Sequence, residues 1–92
     1  PGLIVRSLKF EGLDQEKLPK GVKGVFVISV ADKSPASIVG LKAQDIITEV
    51  NEKPVSDVKA FYAAVNDSGA KKITFTVNRD GETVSTLAYV KK

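Results

Sequence analysis

The sequence predicts an α+β domain, mainly β, in which about five to six short antiparallel strands form a partly open barrel and two helices complete the fold. Residues 73–79 alternate between apolar and polar side chains, which is typical of a strand with one buried face. Residues 25–30 form a short apolar run, and residues 45–50 are rich in β-branched side chains. A chain of 92 residues is the size of one small domain, so residues 1–92 are expected to fold as a single unit.

The N-terminal part of the chain contains two predicted strands and a long connection between them. Residues 2–8 are predicted to form the first strand. Residues 11–23 are polar and interrupted by glycine and proline, which predicts a loop, and Leu13 and Leu18 are expected to hold it against the domain. The second strand, residues 25–30, is apolar almost throughout, so burial of both its faces is expected.

A short helix with clear end signals follows the second strand. Ser34 is a good N-cap, because its hydroxyl can accept a hydrogen bond from a free backbone N–H of the first turn. Pro35 fits the first helical position, where no N–H donor is needed, and Gly40 fits the left-handed residue that ends a helix. These signals predict a helix over residues 34–40, with residues 45–50 as the strand after it.

The longest helix is predicted over residues 56–66. Ser56 is the expected N-cap, and Asp57 suits the positive end of the helix dipole. One broad face of this helix is apolar, which is usually the side that packs on the core. The apolar residues of that face lie three and four positions apart: Val58, Phe61, Tyr62 and Val65. Phe61 and Ala64 are expected to turn toward the core.

A hairpin is predicted at the C-terminal end, where Asp80-Gly81 is a strong turn signal. In the strand before it, Ile73, Phe75 and Val77 face inward. The returning strand, residues 82–90, has apolar side chains on both faces, so its inward face stays open. Together the strand and helix patterns predict six largely buried residues: Val25, Val27, Ile46, Phe61, Phe75 and Val77.

The composition lacks the two residue types, histidine and cysteine, on which much enzyme catalysis depends. The chain has no histidine and no cysteine, so neither a Ser-His-Asp triad nor a thiolate or ordinary zinc site can be assembled from it. Ser34 has no general base to activate it, and the isolated pair Asp45 and Glu49 favours a solvated surface or turn role over acid–base chemistry. We therefore expect no catalytic residue, no metal site and no cofactor, and we expect that the chain is not an enzyme.

The net charge and the hydropathy of the sequence limit the classes of partner that we expect. The net charge is +3 and the lysines and arginines are scattered, whereas a nucleic-acid surface is a basic stripe interleaved with aromatic residues. No apolar run approaches the roughly 20 residues that cross a bilayer. We expect no nucleic-acid partner and no membrane insertion of this segment.

Several short motifs together resemble a bacterial PDZ domain, and most of all the PDZ domains of HtrA/Deg-type serine proteases. The resemblance covers nearly the whole chain, from Gly2 to about Val90. The residues that carry it are Gly24-Val25-Phe26-Val27-Ile28-Ser29-Val30, Ser34-Pro35-Ala36, Gly40-Leu41-Lys42, Asp45-Ile46-Ile47 and Val50-Asn51.

The resemblance implies a peptide-binding groove. In PDZ domains the backbone N–H groups of a glycine-containing loop hold the terminal carboxylate of a peptide, which adds as a strand to the sheet edge. The second helix forms the opposite wall. The matching positions in this sequence are Gly2, Leu3, Ile4 and Val5 on the strand side, and Val58, Tyr62 and Val65 on the helix. Alternation turns Leu3 and Val5 toward the groove and Ile4 away from it. The apolar Val58 implies an apolar side chain two residues before the peptide end.

Three positions depart from the family pattern. Pro1 stands where these loops usually have an apolar residue with its own N–H, so carboxylate capture is expected to be weaker. Gln44 stands where glycine is usual, which costs strain if the turn needs a positive φ. Glu52 follows Asn51 where glycine is common, which predicts a different turn type in that hairpin.

The resemblance also implies a larger context. The expected partners are C-terminal or unfolded polypeptide segments and an attached protease domain, whose substrate recognition or regulation this module would serve in the periplasm or cell envelope. The start at Pro1 suggests a cut fragment. Two alternatives stay open: a PDZ module of a membrane-embedded or carboxyl-terminal processing protease or of a secretion component, and an assembly module with a blocked groove. An open groove would favour peptide binding, whereas a filled groove would favour the assembly module.

Overall fold

Eight strands and two helices make up the part of the chain that the computed structural model describes, residues 2–9, 18, 21–66, 71–86 and 88–90. The helices are α1 (Pro35–Ile38) and α2 (Val58–Val65). The strands are β1 (Leu3–Ser7), β2 (Val25–Val30), β3 (Ile46–Val50), β4 (Lys53–Pro54), β5 (Lys72–Ile73), β6 (Phe75–Arg79), β7 (Glu82–Ser85) and β8 (Tyr89–Val90).

The main sheet is antiparallel and open. Its strands lie in the order β1-β2-β3-β6-β7, with β4 paired to β3, while β5 and β8 form a separate two-stranded ladder. The predicted mainly β, antiparallel and partly open architecture is confirmed. None of the helices in the described residues is long and apolar enough to cross a lipid bilayer.

The predicted strand over residues 73–79 is divided at Thr74. The Thr74 N–H donates to Oδ1 of Asn51 at 2.8 Å, and the Asn51 N–H donates to the Thr74 carbonyl at 2.8 Å. The backbone of Thr74 is therefore bonded to the β3–β4 turn, and β5 and β6 on either side of it pair with different strands.

The core lies against one face of the sheet. All six residues predicted to be buried are buried, with exposed fractions of 6% or less: Val25, Val27, Ile46, Phe61, Phe75 and Val77. Burial of β2 on both faces was a wrong prediction, because Phe26 and Ile28 are only half-buried. An antiparallel sheet with one face on the core leaves the other partly solvated, which gives alternating burial.

The helix ends follow their caps. Ser34 caps α1 by accepting a hydrogen bond from the Ser37 N–H at 3.2 Å, and Gly40 adopts a φ of +100°, both as predicted. The predicted N-cap of α2 was wrong by one residue. Asp57, not Ser56, caps it, and its Oδ1 accepts from the Ala60 N–H at 2.7 Å. A carboxylate accepts this bond and also interacts favourably with the positive end of the helix dipole.

The turns use several residues with positive φ. Asp80 and Gly81 both have positive φ between the paired residues Arg79 and Glu82, which confirms the predicted hairpin. The turn joining β3 to β4 was expected to differ from the type that Asn-Gly forms. It does not, because Asn51 and Glu52 have φ of 51° and 66°, and positive φ at both central residues is the mark of a type I′ turn.

Two further expectations concern the loop and the last strand. The predicted loop over residues 11–23 lies mostly outside the described residues, as does Leu13, whereas Leu18 is half-buried. In β7 the side chain of Val84 packs against the core, which fixes the inward face of that strand.

Candidate functional site

Strand β1 forms one edge of the main sheet. In the described part of the chain it pairs with β2 alone, from Leu3 opposite Val30 to Ser7 opposite Val25. The register shifts between Ile4 and Val5, which is the signature of a β-bulge and increases local twist. The other edge of β1 therefore carries backbone N–H and C=O groups without a ladder partner among the described strands.

The chain enters β1 through Gly2, which lies tightly against the start of α1. Its φ is +80°, and a Cβ atom there would lie 2.4 Å from Cβ of Ser34, so only glycine fits. The Gly2 carbonyl accepts a hydrogen bond from the Ala31 N–H at 2.8 Å. Contact and hydrogen bond together fix the start of the edge strand relative to the cap of α1.

The first three side chains of β1 alternate between its inner and outer sides. Ile4 points away from the core and is 53% exposed, whereas Val5 is buried and Leu3 is half-buried. Val5 belongs to the buried core cluster, and Leu3 packs against that cluster from its margin.

Helix α2 contacts β1 and presents two kinds of apolar residue. Phe61 is buried, and its ring centroid lies 6.2 Å from that of Phe75 in the core. Tyr62 is 46% exposed and packs edge-on against Phe61, with the ring centroids 5.4 Å apart. Val58 and Val65 are half-buried and pack against the core cluster. The apolar face of α2 therefore serves the core through Phe61 and remains accessible at Tyr62.

An apolar cavity lies between the start of β1 and the last turn of α2. The space between these walls, together with the open solvent at its mouth, is about 580 Å³. Tyr62 and Asn66 are the residues with polar side chains among the described residues of its lining. Its walls are formed by Leu3, Pro35, Ala36, Val39, Leu41, Phe61, Tyr62, Val65, Asn66, Ile73 and Phe75.

The cavity gathers three of the seven predicted site residues, Leu3, Tyr62 and Val65. Gly2, Ile4, Val5 and Val58 do not line it. The sequence reasoning missed the contributions of α1, of Leu41 and of the core strands. The apolar residues of α1 were a usable signal, but the choice among buried residues depends on packing between distant segments.

An ion pair supports the loop that carries Leu41 into the cavity wall. Asp45 is 1% exposed, and its Oδ2 accepts from the Lys42 N–H at 2.9 Å, which is the turn role expected for it. It is also paired with Arg79, and the hydrogen bonds that Arg79 donates to the Asp45 carboxylate raise the pKa of Arg79 above its ordinary value. The solvated alternative for Asp45 was therefore wrong, because Arg79 compensates its charge in a buried position.

The described residues offer no site for metal chemistry. No group of three or more His, Cys, Asp or Glu side chains among them is arranged to hold a metal ion. The arrangement can instead accept an apolar side chain beside an edge strand with available hydrogen-bonding groups.

Comparison with known proteins identifies related domains. The family model described as PDZ domain matches residues 7–88. A probable periplasmic serine protease do/HhoA-like of Haemophilus influenzae is 43% identical over 61 residues, which cover 65% of this chain and 13% of that protein. Periplasmic serine endoprotease DegP of Escherichia coli is 39% identical over 64 residues, or 68% of this chain and 14% of that protein. The chain thus spans a small part of the curated relatives it matches.

A solved structure shares the fold. The crystal structure of the HtrA3 PDZ domain bound to a phage-derived ligand, FGRWV, superposes with a TM-score of 0.75 at 23% identity. The match covers 98% of this chain and 82% of that one.

Proposed function

The chain belongs to the PDZ domain family, and we propose that it captures C-terminal or extended apolar tails of polypeptides by adding them as a strand to the edge of its sheet. The observation that carries this proposal is the apolar cavity beside the free edge of β1. Main-chain hydrogen bonds to β1 would hold any extended peptide, and the cavity would select an apolar terminal side chain.

Each predicted site residue has a role in this proposal. The backbone N–H groups of the loop at Gly2, Leu3 and Ile4 receive the terminal carboxylate. The terminal side chain enters the cavity between Leu3, Tyr62 and Val65. Val5 continues the host strand, and Val58, at the other end of α2, faces the residue two positions before the peptide end.

Two findings support peptide binding over assembly through a blocked groove. The cavity opens to solvent at its mouth. The related HtrA3 PDZ domain is bound to a peptide whose sequence, FGRWV, ends in an apolar residue.

The relatives suggest the context in which this binding operates. They are named as periplasmic serine proteases. We propose that residues 1–92 are a single non-catalytic PDZ domain of such a protease in the periplasm or cell envelope, where it recruits substrate or regulates the attached protease domain.

Peptide titration monitored by backbone amide NMR shifts tests the proposal. The probes are an extended peptide ending in Val, the same peptide with its terminal carboxylate amidated, and the same peptide ending in Asp. We expect shifts in residues 2–8 and 58–65 and a Kd of about micromolar order for the Val peptide, because a short peptide buries little area and loses chain entropy. Amidation or a terminal Asp should weaken binding. Equal binding of all three peptides, or shifts confined to other residues, contradicts the proposal.

A further inference from the structure

A second cavity lies at the opposite end of the groove between β1 and α2. The first cavity contains the first residue of β1 and the last turn of α2. The second contains the last residue of β1, Ser7, with Lys9 just beyond it, and the N-cap of α2, Asp57. Leu18, Val22 and Lys23 also form part of its wall. The two cavities therefore lie at opposite ends of β1 and α2.

The separation of the cavities sets which peptide residues reach each one. A strand rises about 3.3 Å per residue, so the distance from Leu3 to Ser7 is about 13 Å, and Lys9 lies in the turn that follows. A peptide strand antiparallel to β1, with its last residue beside Leu3, advances one residue for each residue of β1. Its side chains about four to six positions before the end then lie beside Ser7–Lys9.

The second cavity differs from the first in charge. Among the described residues of its lining, Lys9 and Lys23 are exposed lysines and Asp57 is an exposed aspartate. Oδ1 of Asp57 already accepts the capping hydrogen bond from Ala60 at 2.7 Å. Leu18 and Val22 are half-buried and give the cavity an apolar part.

The end of β1 is held in place locally. The Lys9 N–H donates to Oγ of Ser7 at 3.1 Å, which turns the chain immediately after the strand. Gly24 lies packed under the other side of the cavity, where a Cβ atom would meet the Ile47 carbonyl oxygen at 2.1 Å. Lys9 is therefore bonded to the last residue of β1, and Lys23 directly precedes the tightly packed Gly24.

We propose that this second cavity is an upstream subsite, which prefers an acidic residue about four to six positions before the end of the bound polypeptide. The proposal rests on the proposed peptide-binding function and extends it from the terminal residue to the preceding segment. The occupant is the upstream part of the same peptide, because it reaches the cavity by continuing along β1. The carboxylate of that residue pairs with Lys9 and Lys23, and its stem contacts Leu18 and Val22.

Peptides of eight residues with one common Val end test this subsite. In each peptide one position, the fourth, fifth or sixth before the end, is varied among Glu, Gln and Lys. The Kd of each peptide is measured by fluorescence anisotropy at low and at high salt. At the best position we expect Glu to bind about two- to fivefold more tightly than Lys, because exposed ion pairs are weak. The difference should shrink at high salt.

Charge-reversal variants locate the effect. In Lys23→Glu or Lys9→Glu protein the preference should fall or reverse, so that the Lys peptide gains what the Glu peptide loses. Lys53→Glu is the matched control, since Lys53 is an exposed lysine on β4 and lies outside the lining of the cavity. It should leave the ratio of the Glu and Lys affinities unchanged.

The outcomes separate this inference from the proposed function. If peptides shortened to four residues bind as tightly as those of eight, and Glu, Gln and Lys are equivalent, the upstream subsite is refuted while terminal capture stands. If Lys53→Glu changes the ratio as much as Lys23→Glu, the preference is a general field effect and the subsite is refuted. If no peptide of any length binds, both proposals fall.

Discussion

The guanidinium group of Arg79 holds the buried carboxylate of Asp45 through two hydrogen bonds, Nε to Oδ1 at 2.8 Å and Nη2 to Oδ2 at 2.7 Å. Nη2 also donates to the Gly40 carbonyl at 2.9 Å. One side chain on β6 thus fixes both ends of the connection between α1 and β3. That connection carries Leu41 into the wall of the apolar cavity between the start of β1 and the last turn of α2.

Replacement of Arg79 by methionine should destabilise the domain by about 2 to 3 kcal/mol, because it leaves the Asp45 carboxylate buried without a counter-charge. The side chain of Arg79 is 28% exposed, which brings the expected loss below the roughly 3 to 5 kcal/mol typical of fully buried pairs. Urea unfolding followed by circular dichroism measures the loss. Arg79→Lys should lie between wild type and Arg79→Met, since lysine keeps the charge but cannot bond in the same forked geometry.

Arg6 provides the control for that experiment. It is an exposed arginine on β1, so Arg6→Met should change the free energy of unfolding by no more than about 0.5 kcal/mol. Equal losses for Arg6→Met and Arg79→Met would show that the ion pair does not support the fold.

Gly24→Ala should destabilise the domain more than Gly21→Ala. Both glycines have positive φ, so alanine strains the backbone at each. At Gly24 the added Cβ also meets the Ile47 carbonyl oxygen at 2.1 Å, whereas at Gly21 no atom of the described residues lies within 4 Å. We expect the clash to add about 1 to 3 kcal/mol to the loss at Gly24. Thermal and urea unfolding of the two variants compare them, and a Gly21→Ala loss as large as that of Gly24→Ala contradicts the steric argument.

Features set by neighbouring residues were predictable from the sequence. The Ser34 cap, the Gly40 helix end and the Asp80-Gly81 hairpin each depend on residues within one turn. The alternation of Phe75 and Val77 identified the buried face of β6 for the same reason.

Features that join distant segments were not predictable in this way. Asp45 is buried because Arg79 reaches it from 34 residues along the chain, and the break at Thr74 depends on Asn51, 23 residues away. The apolar cavity is lined by residues of β1, both helices, β5 and β6, so its lining depends on how these elements pack together. Patterns in a single sequence identify the elements that form the walls of the groove, but they do not identify which residues of those elements line it.

Gln44→Gly should stabilise the domain by about 0.5 to 1 kcal/mol. Gln44 has a φ of +74°, which costs a residue with a Cβ about 1 to 2 kcal/mol, and glycine removes most of that strain while adding some freedom to the unfolded chain. The exposed side chain is expendable, and the Gln44 N–H keeps its 2.8 Å bond to the Val27 carbonyl. Gln44→Ala, which keeps a Cβ, is the control and should give no gain. A stabilisation by Ala as large as that by Gly excludes backbone strain as the cause.

The isolated chain should cleave neither an unfolded casein-like protein nor peptides, because it has no histidine or cysteine from which a general base or thiolate could come. Release of fluorescent fragments over a day, with purified trypsin as the positive control, measures this. Turnover that copurifies with the chain and disappears on changing one of its residues would overturn the prediction.

Tyr62→Ala should weaken binding of a Val-ended peptide about tenfold, because aromatic residues in the centre of a binding site commonly carry more than 1 kcal/mol. The fold should stay intact, since Tyr62 is 46% exposed and Phe61 fills the core beside it.

Val58→Asp should differ from Tyr62→Ala in its effect on stability. From the sequence alone it is expected to reduce binding without affecting folding, but Val58 is half-buried against the core. A carboxylate there should lower both peptide affinity and the free energy of unfolding, the latter by about 1 to 3 kcal/mol. Lys59→Ala, on an exposed position between them, should change neither. Isothermal titration and urea unfolding of all three variants give the two readouts. Tyr62→Ala protein that binds as well as Lys59→Ala protein would show that this face of α2 is not the wall of a peptide site.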